Sequence, residues 1–402
     1  MSKLPNTPKP FLATPKKNTS GLPEDFNFKL KNILNRKKFK QKKVAIIGWL
    51  GAFNLGDEMM LDVTVKEMKR RGHTLTLLAH KIDDKVRSRY AGHKIVARRP
   101  LSDESLNKVL EENDTLFVNG GALIDDDHYE NDGSLARDIS RLARQFIDND
   151  KNVIVYGVST NAELKNQQLI DDYSYIIDNA SLFTVRDEFS KAELAKNADA
   201  EKIQVVDDIE FADEVITTKP RLLRSRKIIS LIAVFNEGTI GQLKTLFEKI
   251  IDQSKASIRV ISFFDEDDND AKYIEKLKNE LGDKRFAIDE ISSPTNSEEL
   301  YNALTDSEVV VSMRYHGSLF ANAIGKPVIT IDYDNHPHYL NKNKYLLDQY
   351  GYGKSTIKLS HINELAIHDV EKLLDSTEST DTNIAVIHKR ARFDLLRAID
   401  LV

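Results

Sequence analysis

Arg314 and His316 stand two positions apart in "VSMRYHGSLFANAIGKPV", residues 310–327, with a valine run before them and small residues behind them. A guanidinium presents a planar fork of donors that suits carboxylate or phosphate, and an imidazole exchanges protons near neutral pH. Side by side they describe an anion site with a proton donor attached. A structural or inert histidine in a loop is the plainer alternative. "SEVVVSM" reads as a buried strand, and a short helix is expected near 318–324, stopped by Gly325 with Pro327 beyond it. The pair then falls in a strand-to-helix elbow, at the positive end of the helix dipole, flanked by Tyr315 and Gly317.

Three other loops that follow apolar runs are chemically loaded. "GWLGAFNLGDEMM", residues 48–60, holds Gly48, Gly51 and Gly56, with Asp57 at an expected helix N-cap. It is neither G-x-G-x-x-G nor a Walker loop, which would need a lysine. It is either an ordinary tight connection or a place of close backbone approach to a ligand, with Asn54, Asp57 and Glu58 as candidate contacts. "NGGALIDDDHYENDG", residues 119–133, sets Gly120 and Gly121 at an expected strand end. Asp125 to Asp127 behind them would bind a divalent cation, bond sugar hydroxyls, or stay solvated. In "LFTVRDEFS", Arg186 ends an apolar run with Asp187 beside it, as an ion pair closing the strand or as an anion clamp. His336 and His338 in "DYDNHPHYLNKNKY" read as ligand contacts or as bystanders. No metal site is expected.

These loops need a scaffold, and the pattern from Lys42 onward supplies one. Apolar runs of strand length such as "KVAIIGW", "TLTLLAH", "TLFVNGG" and "NVIVYGVS" alternate with helix-periodic stretches, which suits parallel strands covered on both faces. The series breaks at the basic, Pro-containing segment 215–227 and then restarts. The expected fold is α/β, two Rossmann-like domains facing each other across a cleft in a GT-B-like arrangement. The boundaries are a disordered basic tail at 1–41, an acceptor-side domain at 42–217, and a donor-side domain at 218–402 whose C-terminal helices, near 361–400, pack back. A chain of 402 residues with 41% hydrophobic content suits two cores.

The net charge is −5, yet residues 1–43 carry 12 Lys plus Arg against Glu24 and Asp25. Five of the ten prolines lie in the first 23 residues, a composition that cannot bury a core. This tail is a solvated leader or an anchor on an anionic membrane face. The acidic body and the lack of an RNA-binding motif exclude nucleic acid as the expected partner. No secretory signal or membrane span is legible, so a cytoplasmic protein is expected, with the inner membrane face as its peripheral contact. With no cysteine, disulfides, thiolate metal sites and cysteine nucleophiles are excluded.

Taken in order, "GWLGAFNLGDE", "NGGALIDD", "TVRDEFS" and "SMRYHGSLFANAIGKPVITIDY" resemble the polysaccharide pyruvyl transferase family. The resemblance spans roughly residues 43–350. It implies transfer of pyruvate from phosphoenolpyruvate to a sugar, free, polymer-borne or lipid-linked, as a ketal, with phosphoenolpyruvate as co-substrate and no cofactor. It also implies that Arg314 and Arg186 contact the donor and that His316 is the acid/base. Two stretches depart from the family pattern: "YGVSTNAEL", across Val158 to Asn161, and "VVDDIEF", across Asp207 to Ile209. At a helix N-terminus an imidazolium is disfavoured, and an incoming anion reverses that preference, so donor binding is expected to charge His316. A GT-B glycosyltransferase with a nucleotide-sugar donor and a non-catalytic family member are the rival readings.

Overall fold

Strand β1 (Lys43–Ile47) is followed by α1 (Leu55–Arg70), β2 (Thr74–Ala79), α2 (Asp84–Arg89), β3 (Lys94–Ala97) and α3 (Asp103–Glu112). Then come β4 (Thr115–Ile124), α4 (Leu135–Asp148), β5 (Asn152–Thr160), α5 (Gln167–Asn179), β6 (Leu182–Val185), α6 (Glu188–Leu194) and β7 (Ile203–Val205). The strands hydrogen-bond in the order β3-β2-β1-β4-β5-β6-β7, every neighbouring pair parallel. Val44 to Ile47 have no exposed surface, which is why β1 reads as an unbroken apolar run.

A second sheet repeats the design. It is built from β8 (Ile228–Ile232), α7 (Ile240–Ser254), β9 (Ser257–Ile261), α8 (Asp270–Leu281), β10 (Ile288–Ser292), α9 (Ser297–Thr305), β11 (Val309–Ser312), α10 (Tyr315–Ala323), β12 (Val328–Asp332) and β13 (Thr356–Lys358). Its order is β10-β9-β8-β11-β12-β13, again all parallel. A 3₁₀ segment, Leu359–Glu364, and the helix α11 (Asp381–Asp400) follow. In both sheets the order reverses beside the first strand, at β1/β4 and at β8/β11. Such reversal points open a crevice at the carboxyl ends of the strands, where ligands of α/β sheets bind.

The computed structural model describes residues 40–99, 101–126, 129–131, 133–160, 162–214, 228–254, 256–264, 270–333, 350, 356–364 and 381–402. The tail up to residue 39, the linker 215–227, Asp127, Asn161 and the His336/His338 pair lie outside them. The chain forms two compact units, one of residues 1–50, 61–212 and 386–402, the other of 51–60 and 213–385. Segment 51–60 groups with the second unit and 386–402 with the first. No helix among the described residues is long and apolar enough to cross a membrane.

Local expectations shift in three places. Helix α1 begins at Leu55, so Asp57 lies in its first turn and is not the cap. Gly120 and Gly121 are inside β4, which continues to Ile124 and pairs with β5 across an irregularity after Gly121. Helix α10 begins three residues earlier than expected, so Arg314 is its N-cap and His316 and Gly317 stand in its first turn. Its far end is as expected. Gly325 has φ +70°, and the N–H groups of Gly325 and Lys326 donate to Asn322 and Ala321, a Schellman ending.

Candidate functional site

In the second unit, Arg314 leaves the end of β11 and crosses the reversal point of its sheet. Its Nε donates to the carbonyl of Ala233, just past β8, at 2.9 Å, and its Nη2 to Asp270 Oδ1 at 2.9 Å. Asp270, 2% exposed, opens α8, and its other oxygen accepts the N–H groups of Phe263 (2.8 Å) and Phe264 (3.1 Å). The acid is thus fixed by the backbone after β9, and it fixes the guanidinium in turn. Both bonds use the side edge of the guanidinium. The end edge, with Nη1, is the part left to meet an anion in a two-bond contact.

Helix α10 lies tightly on the strands. A β-carbon on Gly317 would come within 2.5 Å of Ser312 Oγ and 2.9 Å of Ile232, so only glycine lets the helix approach β8 and β11 this closely. Ser312 Oγ donates to the Arg314 carbonyl at 2.8 Å, holding the turn that precedes the helix. Tyr315 meets the His316 ring edge-on, with centroids 5.2 Å apart. The loop 51–56 joins this unit as well. Asn54 forms an antiparallel bridge with Phe264, and Leu55 N–H donates to the Phe263 carbonyl at 2.9 Å. Glu58, 2% exposed, accepts the Gly51 N–H at 2.8 Å, and Asp57 is buried beside it. At Gly56 a β-carbon would come within 1.9 Å of His316 Nδ1 and 2.2 Å of its Cγ. The glycine loop and the Arg-x-His turn therefore form one structure.

In the first unit, Arg186 follows β6 and is 4% exposed. Its Nε donates to Ser159 Oγ at 3.0 Å and its Nη1 to Asp208 Oδ2 at 3.0 Å. Its partner is Asp208, 1% exposed, and not its neighbour Asp187. Asp187 instead caps α6 by accepting the Ser190 N–H at 2.7 Å, while burial pushes its carboxyl above the usual range. Breaking a buried pair such as Arg186–Asp208 costs about 3–5 kcal/mol. Ser159 lies in "YGVSTNAEL" and Asp208 in "VVDDIEF".

Asp207, beside it, takes a bidentate contact from Arg390 of α11 at 2.5 and 2.6 Å, and His388 Nδ1 meets the Phe211 carbonyl at 2.5 Å. These contacts dock residues 386–402 on the first unit. Asp394 on the same helix is pushed up to about 7 by loss of solvent and by the nearby Asp207 charge. Of the acidic loop after β4, Asp125 is partly exposed, and Asp126 accepts the N–H groups of Lys165 and Asn166 at 2.6 and 3.2 Å ahead of α5. Asp126 is thus a loop tie.

Sequence reasoning reached Arg314, His316 and Gly56 but missed Asp270. Asp270 carries no motif, because its role arises only when β9 and β11 lie on either side of β8.

The sequence profile described as polysaccharide pyruvyl transferase matches residues 54–335. No curated protein sequence matches the chain. Among solved structures, the chain is similar to UDP-GlcNAc 2-epimerase from Neisseria meningitidis bound to UDP-GlcNAc, at TM-score 0.56 and 11% identity, covering 87% of this chain and 97% of that one. It is similar to HepE from Anabaena in complex with UDP and glucose, at TM-score 0.55 and 12% identity over 90% and 96% of the two chains. It is also similar to MurG from Acinetobacter baumannii, at TM-score 0.50 and 14% identity over 89% and 99%. At these identities the likeness shows the fold, which is α/β and GT-B-like.

Proposed function

The chain belongs to the polysaccharide pyruvyl transferase family, and on that premise we propose that it transfers pyruvate from phosphoenolpyruvate to a sugar of a cell-surface polysaccharide or its precursor, as a ketal. The observation that carries this reading is the turn after β11, where a held guanidinium and the His316 imidazole stand together at a strand reversal point. Arg314 offers its end edge to the carboxylate or phosphate of the donor. His316 delivers a proton to the methylene carbon of the enol, leaving cationic character at the adjacent carbon. One sugar hydroxyl adds there and returns its proton to His316, phosphate leaves, and a second hydroxyl closes the ketal as its proton passes to the departing phosphate. Each atom of the donor is accounted for without oxidant or reductant.

Arg186, for which the family resemblance implies a donor contact, is paired with Asp208 as Arg314 is with Asp270, and its side chain is the less exposed of the two, at 4% against 14%. The reaction is placed in the cytoplasm, with the basic tail on the anionic inner face of the membrane. Loss of vesicle binding on deletion of residues 1–40 is the expected result for that placement.

The glycosyltransferase alternative draws on the solved structures of the same fold, some of which hold UDP or a UDP-sugar. Mass spectrometry of cell-envelope oligosaccharides incubated with the protein separates the two. The proposal expects an added mass of pyruvate less water that requires phosphoenolpyruvate. Addition of a hexose that requires a nucleotide sugar would sink it.

A further inference from the structure

At the carboxyl ends of β1, β2 and β3 three chemically distinct side chains meet within the first unit. Trp49 follows β1, His80 follows β2 and Arg98 follows β3. The chain has one tryptophan, and it stands here, partly exposed, with its indole 5.6 Å from the His80 ring at a 40° tilt. Arg98 is 1% exposed, and its Nη2 lies 2.9 Å from His80 Nδ1. A guanidinium can only donate, so Nδ1 accepts and the neutral ring carries its proton on Nε2. Asp138 (2.9 Å) and the Gly133 carbonyl (3.1 Å) hold Nη1 of the same guanidinium. His80 is tied from its backbone as well, its N–H donating to the Leu50 carbonyl at 2.7 Å.

A fully buried ion pair gives up the hydration of both charges and is weak evidence of a stabilising device. Here its geometric effect is plain: it fixes the tautomer and the plane of a histidine ring that packs against a partly exposed indole. The charge bookkeeping narrows the ligand. Asp138 pairs with Arg98, the imidazole that accepts from Arg98 is neutral, and the indole is uncharged, so the groups packed beside the indole present no unpaired charge to it; Arg99 is a further cation near Arg98. An apolar aromatic face beside neutral polar groups at strand ends suits an uncharged polyhydroxylated ring, whose C–H face packs on the indole while its hydroxyls stay hydrated.

We infer that Trp49 is the platform of a pyranoside subsite in the first unit, oriented by His80 and the Arg98–Asp138 pair. The inference rests on the proposed function in taking a sugar as the acceptor. Trp49 would touch the sugar ring. His80, Arg98 and Asp138 are positioning residues.

Because the tryptophan is unique, the full chain labelled with 5-fluorotryptophan gives a single fluorine resonance that reports this site alone. The probes are the methyl pyranosides of glucose, galactose, mannose and N-acetylglucosamine. A saturable shift with at least one of them is expected, with a dissociation constant that rises roughly three- to tenfold in His80→Ala as the indole loses its orienting ring. No shift, or a shift that grows linearly without saturation, overturns the subsite. So does a saturable shift unaffected by His80→Ala, for the orienting role. Thermal protection by phosphoenolpyruvate, measured on the same sample, keeps the two ideas apart: protection without a fluorine shift removes the subsite and leaves the donor reading standing.

Discussion

Gly56 lacks a side chain at the place where a β-carbon would come within 1.9 Å of Nδ1 and 2.2 Å of Cγ of the His316 ring and 2.7 Å of its Cβ. Two motifs from opposite ends of the matched region therefore meet, and the glycine at 56 is set by the histidine. The residue is helical and not in a left-handed conformation, so its backbone does not demand glycine.

This gives a prediction whose sign changes with background. In an otherwise ordinary first helical turn, Gly56→Ala would gain up to about 1 kcal/mol of helix propensity. Against the imidazole it forces overpacking that costs about 1–3 kcal/mol, so the clash wins. Chemical denaturation should show Gly56→Ala destabilised in the wild-type background and neutral or stabilised in His316→Gly, which removes the ring and its Cβ. Equal costs in both backgrounds would mean that the two residues do not touch.

Asp270 supplies the second test. Asp270→Asn removes the charge that balances Arg314 and weakens the grip on two backbone N–H groups, a loss on the order of 3 kcal/mol in stability. The guanidinium keeps its bond to the Ala233 carbonyl and so stays near its place. An anionic donor then serves as the missing counter-charge, and phosphoenolpyruvate should raise the melting temperature of the variant more than that of wild type. Smaller stabilisation of the variant would show that orientation by Asp270 outweighs charge.

The architecture was legible because parallel strands buried on both faces leave continuous apolar runs, as in Val44 to Ile47 and Val309 to Val311. The Arg-x-His turn was legible because its spacing and its flanking strand and helix signals lie in one short segment. What could not be read was partnership across the sheet. Arg186 stands beside Asp187 in sequence, yet the acid that pairs with it is Asp208, brought there by β7 lying beside β6. Asp270 lies far from Arg314 in sequence and reaches it only through strand order. Helix α10 starts ahead of the residues with good helix propensity, since Tyr315, His316 and Gly317 are weak helix formers and packing of Gly317 on Ile232 and Ser312 overrides that preference.

Asp394 predicts a pH dependence for the first unit. Its carboxyl is pushed up to about 7 in the folded chain from an ordinary 3.8, so the folded state holds the proton more tightly than the unfolded one. The contribution is a penalty that grows as pH rises between those two values and is constant above them. Asp394→Asn removes it. The variant should exceed wild type in stability by up to about 4 kcal/mol at pH 8, with the difference vanishing near pH 4, as read from urea midpoints across pH. A difference that does not change with pH would exclude the titration.

The central claim is that the turn after β11 binds phosphoenolpyruvate. Calorimetric titration of the full chain with phosphoenolpyruvate, and separately with UDP, tests it without knowledge of the acceptor sugar. The account predicts saturable binding of phosphoenolpyruvate, weakened by at least about tenfold in Arg314→Ala, and no heat with UDP. Binding of UDP with none of phosphoenolpyruvate, or phosphoenolpyruvate binding indifferent to Arg314→Ala, would contradict it.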